Sequence, residues 1–489
     1  MTVDEGNSFV EFLNQYTTVS SNHEAAFDEY ISQDEGQYVE PESALQLETK
    51  TEGYVRERFK EGRPVSVILT GNAGDGKTYL CRKIIEDFAG EKIREWSEDA
   101  LDYSLTQDGH TLRVVKDISE VNEEHGGEIL TDLNRALADD EPDTFFLIAA
   151  NEGRLRAILS DRDLNLLEER VSHQLREGPD PEADDLVVLN LNDVATSNYV
   201  LQVLEWIGAE EHWDVCEGCP AVNDCPIRYN ALRLKESPVL GRAQLLYEIL
   251  EHLGLHATIR DMLIHLAFTA TGGLRCEEVI DKHSDLEWEP EKYAYYENAF
   301  GESASETFKE KSTVVNRLQA LNPGNESIFE LDDLIINGVN GTEKNPGDEE
   351  RWQKLFGEPS LDLGFRRFSQ SREAYLFGDT AGDVDEDAAN LLSWLPHLRR
   401  KLLFEWEREE EVLPLFPFLY LEDYIKLLHG EAAPERYLGK LILGLNKAFS
   451  GLFLNGSQRL YVTSLRARRG TVGSGSAAVT SEDERSSRA

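Results

Sequence analysis

The sequence predicts an α/β core, a parallel sheet with helices on both faces, followed by a mainly α-helical C-terminal half. Three observations carry this expectation. Between Pro64 and Asp193, short β-rich runs alternate with helical segments, the pattern of strands joined by crossover helices. Three of these runs are almost continuously apolar, as parallel strands covered on both faces must be. From Asn198 onward, apolar residues recur at three- and four-residue spacing, as in VLGRAQLLYEILEHLGL and TIRDMLIHLAFTA, which is helical periodicity.

Taken in order, residues 1–60 read as a polar, mostly helical lead with an acidic loop around Ser32–Glu42. Residues 61–197 form the α/β core, with strands expected at Val65–Thr70, Leu112–Lys116, Thr144–Ala150 and Leu186–Leu191. Residues 198–285 read as a helical lid that carries a cysteine cluster, and 286–464 as a mainly helical C-terminal domain. The turn-rich, acidic stretches 335–350 and 378–388 read as loops, and Arg459–Thr463 as a strand. Residues 465–489 are rich in Ser, Gly and Ala without periodicity, which predicts a disordered tail. No internal repeat is visible.

The chain of 489 residues has room for two or three domains. Its 49 basic and 93 acidic residues give a formal net charge of −44, yet 40% of its residues are hydrophobic, too many for a disordered acidic chain. Acidity spread along a foldable chain points to the cytosol of a salt-loving organism, where excess carboxylates keep a protein hydrated; an acidic mesophilic protein is the alternative. Such a surface repels nucleic acid at low salt, but 1 M salt screens charges beyond about 3 Å. The charge therefore neither supports nor excludes a DNA partner. The N-terminus MTVDEGNSFVEFLNQYTTVSS lacks a basic region followed by an apolar core, so it does not read as a signal peptide. No apolar run reaches the length of a membrane span, and five cysteines are too few and too unevenly placed for a disulfide scaffold. These features predict a cytoplasmic protein without a membrane partner.

The most specific motif is Gly71-Asn72-Ala73-Gly74-Asp75-Gly76-Lys77-Thr78, which matches G-x-x-x-x-G-K-T and lies between the apolar run SVILT and the amphipathic run TYLCRKIIEDFAG. Glycines let the backbone turn its N–H groups inward onto phosphates, and the following helix adds its positive end. Lys77 then reaches the β- and γ-phosphates of ATP, and the Thr78 hydroxyl ligates Mg²⁺. The predicted core is thus an α/β P-loop NTPase.

Further parts of such a site are expected on neighbouring strands. Asp117, in LRVVKDISE, is placed to hold Mg²⁺ and Glu120 to polarise the attacking water, or Asp117 is a turn residue that ends the strand. Asn151 ends the buried run TFFLIAA, where a polar residue reports the γ-phosphate in additional-strand ATPases; the alternative is a cap for a helix that begins near Gly153. Arg154 and Arg156 are candidate charge stabilisers, in this chain or as an arginine finger in a homo-oligomer. Arg260 stands where helical lids supply a phosphate-sensing arginine, or on a solvated helix face.

In HWDVCEGCPAVNDCPIRYN, Cys216, Cys219 and Cys225 have C-x2-C-x5-C spacing. The C-x-x-C turn aims two thiolates at one centre and the third returns after a short loop. His212 completes a Cys3His zinc site, with Cys276 as the other candidate fourth ligand. An iron–sulfur cluster shares the spacing, and unligated thiols are the bland alternative. With only Asp214 and Asp224 as acid–base groups nearby, any metal would be structural.

The succession of strand, phosphate loop, strand with Asp, strand with Asn, strand and helical lid resembles AAA+ and STAND ATPases over residues 60–275. Further motifs narrow this: TGNAGDGKT, KDISE, FLIAANEGRL, C-x2-C-x5-CPI, IRDMLIHLAFTATGG with a later Cys, and LILGLNKAFSGLF. Together they resemble the F subunit of the Dpt systems, which restrict DNA according to its phosphorothioation, over roughly residues 60–464. The resemblance implies an ATPase that works with other restriction-complex subunits against DNA lacking the mark, and touches DNA through the complex. No nuclease motif is visible, so cleavage would belong to a partner. Arg399-Arg400-Lys401, and Arg466 with Arg468-Arg469, are candidate DNA contacts or solvated faces. The rival reading is a STAND-type signalling switch without direct action on DNA.

Overall fold

In a computed structural model, described for residues 6–17, 45, 47, 50–62, 64–90, 101–139, 142–162, 164–180, 183, 185–285, 287–339, 347–356, 363–378, 384–408, 412–416, 418, 420–428, 430–431, 435–450, 460–463 and 476–479, the apolar runs assemble into a five-stranded sheet. Strands β1 (Ser66–Thr70), β2 (Asp102–Gln107), β3 (His110–Val115), β4 (Thr144–Ala150) and β5 (Leu186–Asn190) lie in the order β2-β3-β4-β1-β5. The pairs β3–β4, β4–β1 and β1–β5 are parallel. β2 is a strand beyond the four expected, and it runs antiparallel to β3. The two are joined by Asp108-Gly109, both at positive φ (48° and 86°), the turn chemistry of a two-residue hairpin. Its sequence DYSLTQ is polar and largely accessible, as suits a sheet edge.

Alternation within the strands divides the core into two layers. Val67, Leu69, Leu112, Val114, Leu147 and Leu189 pack with helix α2 (Lys50–Lys60) and helix α3 (Lys77–Ala89) through Val55, Phe59, Leu80, Ile84 and Ile85. Ile68, Val115, Ile148, Ala150 and Val188 pack on the other face. There they meet Ile129, Leu130 and Leu133 of α4 (Glu123–Ala136), Leu155 and Ile158 of α5 (Glu152–Ser160), and Val171 of α6 (Asn165–Glu177). A one-residue slip of β1 would exchange its faces, and each buried Leu or Ile contributes roughly 1.5–3 kcal/mol.

The helical region after the sheet begins with α7 (Ser197–Ile207), α8 (Pro226–Leu234), α9 (Ser237–His252), α10 (Ile259–Thr271) and α11 (Cys276–Lys282). α10 is buried around most of its circumference, which marks it as the centre of this layer. Helix α1 (Ser8–Thr17) packs on α10, where Asn14 donates to the Leu274 carbonyl (2.8 Å) and accepts from the Thr271 hydroxyl (2.8 Å). The two described helices of the N-terminal lead thus go to different layers. α2 is joined to α3 by the Arg56–Asp87 pair at 2.6 Å.

Helices α12 (Tyr295–Asn298), α13 (Glu306–Lys311), α14 (Thr313–Leu318), α15 (Phe329–Asn337), α16 (Asp348–Phe356), α17 (Phe365–Phe377) and α18 (Val384–Glu405) follow. Two acidic stretches expected as loops are partly helical: 348–350 opens α16 and 384–388 opens α18. Asp and Glu in a first turn complement the helix dipole, so acidity there marks a helix start. A larger correction concerns Arg399-Arg400-Lys401. All three side chains are buried, neither solvated nor open to DNA. Arg399 makes a bidentate pair with Asp332 (2.7 Å twice), Arg400 one with Glu297 (2.7 Å twice), and Lys401 donates to the Leu355 carbonyl at 2.7 Å.

The chain divides into two compact units, residues 1–406 and 407–489. The second contains α19 (Leu421–Leu428), α20 (Glu435–Ser450), β6 (Leu460–Thr463) and β7 (Ser476–Val479), with β6 and β7 antiparallel. β7 lies inside the stretch expected to be a disordered tail. Its run Ser-Ala-Ala-Val is legible as a strand only through its partner Leu-Tyr-Val-Thr. Arg466, Arg468, Arg469 and the acidic loop at Ser32–Glu42 lie outside the described residues. Among the described residues, no helix is long and apolar enough to cross a membrane.

The Glu297–Arg400 pair sets a stability test. Burial raises the Glu297 carboxyl, but His397 at 3.1 Å and Arg400 outweigh it and hold the group below the ordinary glutamate range. Arg400→Ala should cost about 3–5 kcal/mol, since it strands a buried carboxylate, read as a lower urea midpoint. A depressed folded pKa gives stability above the unfolded value of about 4.3 and loses it as pH falls through the folded value. The wild-type advantage should therefore shrink below about pH 4.3.

Candidate functional site

The parallel strands end on one edge of the sheet, and the turns that follow them open there. β1 leads into Gly71–Gly76, and α3 starts at Lys77. Gly74 (φ 95°) and Gly76 (φ 89°) take up backbone angles that L side chains avoid, and Gly76 forms the left-handed cap of α3. Asn72 and Ala73 are exposed at the tip of the loop, and Lys77 and Thr78 occupy the first turn of α3. Lys77 Nζ donates to the carbonyls of Gly71 (2.9 Å) and Asn72 (2.8 Å). The free N–H groups of a helix start make such a place electropositive.

Asp75 braces the loop. Its side chain is only 2% exposed. Oδ2 accepts the Asn72 N–H at 2.6 Å, and Oδ1 lies 3.0 Å from His256 Nε2. The Asn72 N–H also lies 3.2 Å from Asn192 Oδ1, in the turn after β5. In that turn Asn190 accepts the Thr70 hydroxyl at 3.2 Å and donates to Asp193 at 2.9 Å.

Asp117 stands just past β3. Its Oδ1 accepts the Ser119 N–H at 2.7 Å, closing a turn whose last residue is the exposed Glu120. Cys81, buried one turn into α3, feels both Lys77 and Asp117, which places these opposite charges in one neighbourhood. Burial is the main cause of its thiol being pushed up to about 12. Asn151 follows β4, and the pairing of Thr70 with Ala150 sets it beside Gly71 in register. Its Oδ1 accepts the Gly153 N–H at 3.0 Å, so it caps α5, the second of the two roles its position allowed. Ser119 Oγ accepts the Asn151 N–H at 3.4 Å and links the ends of β3 and β4. On α5, Arg156 pairs with Glu152 at 2.8 Å and Arg154 lies 3.9 Å from Glu123.

The helical layer reaches the same loop. Thr258 caps α10 in a reciprocal box with Asp261, and the Arg260 N–H donates to the Gly74 carbonyl at 3.2 Å. A Cβ on Gly74 would stand 3.0 Å from Thr258 Oγ1 and 3.2 Å from Arg260 Cβ. Arg260 therefore meets the loop through its backbone. Sequence reasoning missed His256, Asn190, Asn192 and the bracing role of Asp75. The Asn-Leu-Asn-Asp run directly after an apolar strand was a usable signal; His256, 181 residues from Asp75, carried none.

The cysteine cluster is built from separate elements. Cys216 lies in the 3-10 turn Asp214–Gly218, Cys219 ends that turn, Cys225 is the N-cap of α8, and Cys276 is the first residue of α11. All are free thiols. Burial pushes Cys225 up to about 12 and Cys276 to about 11, and raises Cys216. The Asn7 N–H donates to Cys276 Sγ (3.4 Å), and Asn7 Nδ2 donates to Cys216 Sγ (3.5 Å) and the His212 carbonyl (2.8 Å). The buried His212 ring stacks on Phe9, centroids 3.8 Å apart, with Trp206 edge-on at 5.7 Å. Among the described residues, no three His, Cys, Asp or Glu side chains stand converged as a ready metal centre.

Comparison of the chain with protein families, with curated proteins and with solved structures finds no match. The chemistry of the site is therefore the ground for a functional reading. An electropositive glycine turn, a lysine and two hard oxygen donors, the Thr78 hydroxyl and the Asp117 carboxylate, suit a polyphosphate with Mg²⁺. Asp75→Ala removes the shorter of the two bonds to the Asn72 N–H, leaving Asn192 Oδ1 as its acceptor, and takes away the carboxylate that faces His256. It should lower the urea midpoint by the equivalent of about 1–3 kcal/mol, whereas Lys83→Ala, which removes one half-buried ion pair to Glu86 at 3.2 Å, should change it by no more than about 1 kcal/mol.

Proposed function

We propose that this chain is an ATPase that binds ATP with Mg²⁺ at Gly71–Thr78 and serves as a subunit of a restriction complex governed by DNA phosphorothioation. The observation that carries the ATPase reading is the G-x-x-x-x-G-K-T turn between the interior strand β1 and the start of α3, with Asp117 just past β3, on the far side of β4. The backbone N–H groups would cradle the phosphates. Lys77 would exchange its carbonyl partners for the β- and γ-phosphates. Thr78 and Asp117 would hold Mg²⁺, which neutralises charge on the phosphates. Glu120 would orient the attacking water. Asn151 would add a polar group beside Gly71, and Arg154 or Arg156 would act on a neighbouring copy. The restriction role rests on the motif resemblance alone.

One observation favours a second reading, a STAND-type switch. The loop is bonded to the helical layer through Asp75–His256 and Gly74–Arg260, so a bound nucleotide would bias the placement of that layer.

ATP turnover by the full chain at high salt tests both. Lys77→Ala should reduce it to background and Asp117→Asn by about 10²-fold or more; full turnover in Lys77→Ala sinks the nucleotide reading. Unmodified DNA should stimulate the wild type and phosphorothioated DNA should not. Indifference to both, with ATP-dependent growth in size on gel filtration, would favour the switch.

A further inference from the structure

We propose that Cys216, Cys219, Cys225 and Cys276 form a tetrathiolate site for one zinc ion, with Cys276 rather than His212 as the fourth ligand and Asn7 as the residue that orients two of the sulfurs. The proposal is independent of the nucleotide reading.

Proximity comes first. One asparagine touches both Cys216 and Cys276, so their sulfurs lie on either side of a single residue. Cys216 and Cys219 share one turn, the Cys219 N–H donating to the Cys216 carbonyl at 3.1 Å, and Cys225 closes the same short loop as the N-cap of α8. A fold in which Cys276 lies 51 positions from Cys225 in sequence thus returns it to the C-x2-C-x5-C turn. Even Gly6 is pressed against it, since a Cβ there would meet Cys276 Cβ at 2.7 Å. His212, in contrast, stacks its ring on Phe9 with Trp206 edge-on.

The second observation is where the N–H groups point. Asn7 N–H addresses Cys276 and Asn7 Nδ2 addresses Cys216. Cys225 is the N-cap residue of α8, at the electropositive start of that helix. A neutral thiol is a weak acceptor, and burying donors against weak acceptors is a poor use of them. A metal-bound thiolate is a strong acceptor, and outer N–H donors of this kind orient metal ligands. They also offset part of the net negative charge of four thiolates on one divalent ion.

Four thiolates close the tetrahedron and leave no position for water or substrate, so the site is structural. Binding would draw the sulfurs in by rotation about their Cα–Cβ bonds, which offer three staggered positions each. Each thiol gives up its proton as its sulfur–zinc bond forms, so zinc uptake releases acid. The ion would clasp the 214–225 turn, α8, α11 and the segment around Asn7 together.

The test uses the full chain purified at high salt without chelator. Elemental analysis should find about one zinc per chain, absent in Cys276→Ser and retained in His212→Gln. Asn7→Ala should weaken zinc binding about 10–100-fold in competition with a chromophoric chelator. Cobalt(II) uptake by the wild type, with the charge-transfer and d–d bands of a tetrahedral tetrathiolate, reports the ligand set without any variant. Zinc retained in Cys276→Ser but lost in His212→Gln would overturn the proposal. So would iron with acid-labile sulfide in place of zinc, or a wild type that takes up neither zinc nor cobalt.

Discussion

A buried carboxylate needs partners, and the partners of Asp75 decide how this molecule is put together. One oxygen fastens the Asn72 N–H and so gives the Gly71–Gly76 turn its shape; the other faces His256 from the helical layer. Placing an unpaired carboxylate there would cost several kcal/mol, so the turn and the helical layer are tied to each other through it. The sheet supplies the rest of the constraint. β1 is covered on both faces and flanked by parallel neighbours, so the point from which the turn springs has little freedom. Asp117, Asn151 and Asn192 come near it because their strands share the same hydrogen-bonded register.

The same economy governs charge. With 49 basic residues against 93 acidic ones, cations are scarce, and several of them are turned inward. Arg58, Arg242, Arg399, Arg400 and Lys401 are all buried, on carboxylates or on backbone carbonyls. Salt screens exposed charges strongly and buried pairs much less. Inward ion pairs therefore keep more of their strength at high salt than exposed pairs do.

How much of this was legible in the sequence follows from the range of each interaction. Strands β1, β4 and β5 were readable because burial on both faces leaves an uninterrupted apolar run. The Gly71–Thr78 turn was readable because its backbone angles demand glycine at fixed offsets. β2 carried the Asp-Gly hairpin signal but lacked an apolar run, and its polarity hid it. The acidic openings of α16 and α18 looked like loops because local composition does not separate a solvated turn from the first turn of a helix. Arg399-Arg400-Lys401 looked like surface because its partners Asp332, Glu297 and Leu355 lie 46 to 103 positions away. His256 and the return of Cys276 share that cause.

Helix α1 shows what such distances mean in time. Its buried face, Phe9, Val10 and Leu13, is made well before α10, and the groups that bond Asn14 lie 257 and 260 positions later. At synthesis rates of about 5–20 residues per second, that helix waits roughly 10–50 s for its partner. For that interval its apolar stripe lacks the surface that covers it in the folded chain. The packing of α1 on α10 thus cannot precede the synthesis of residue 274, so this N-terminal helix joins its layer only after every strand of the five-stranded sheet has been made.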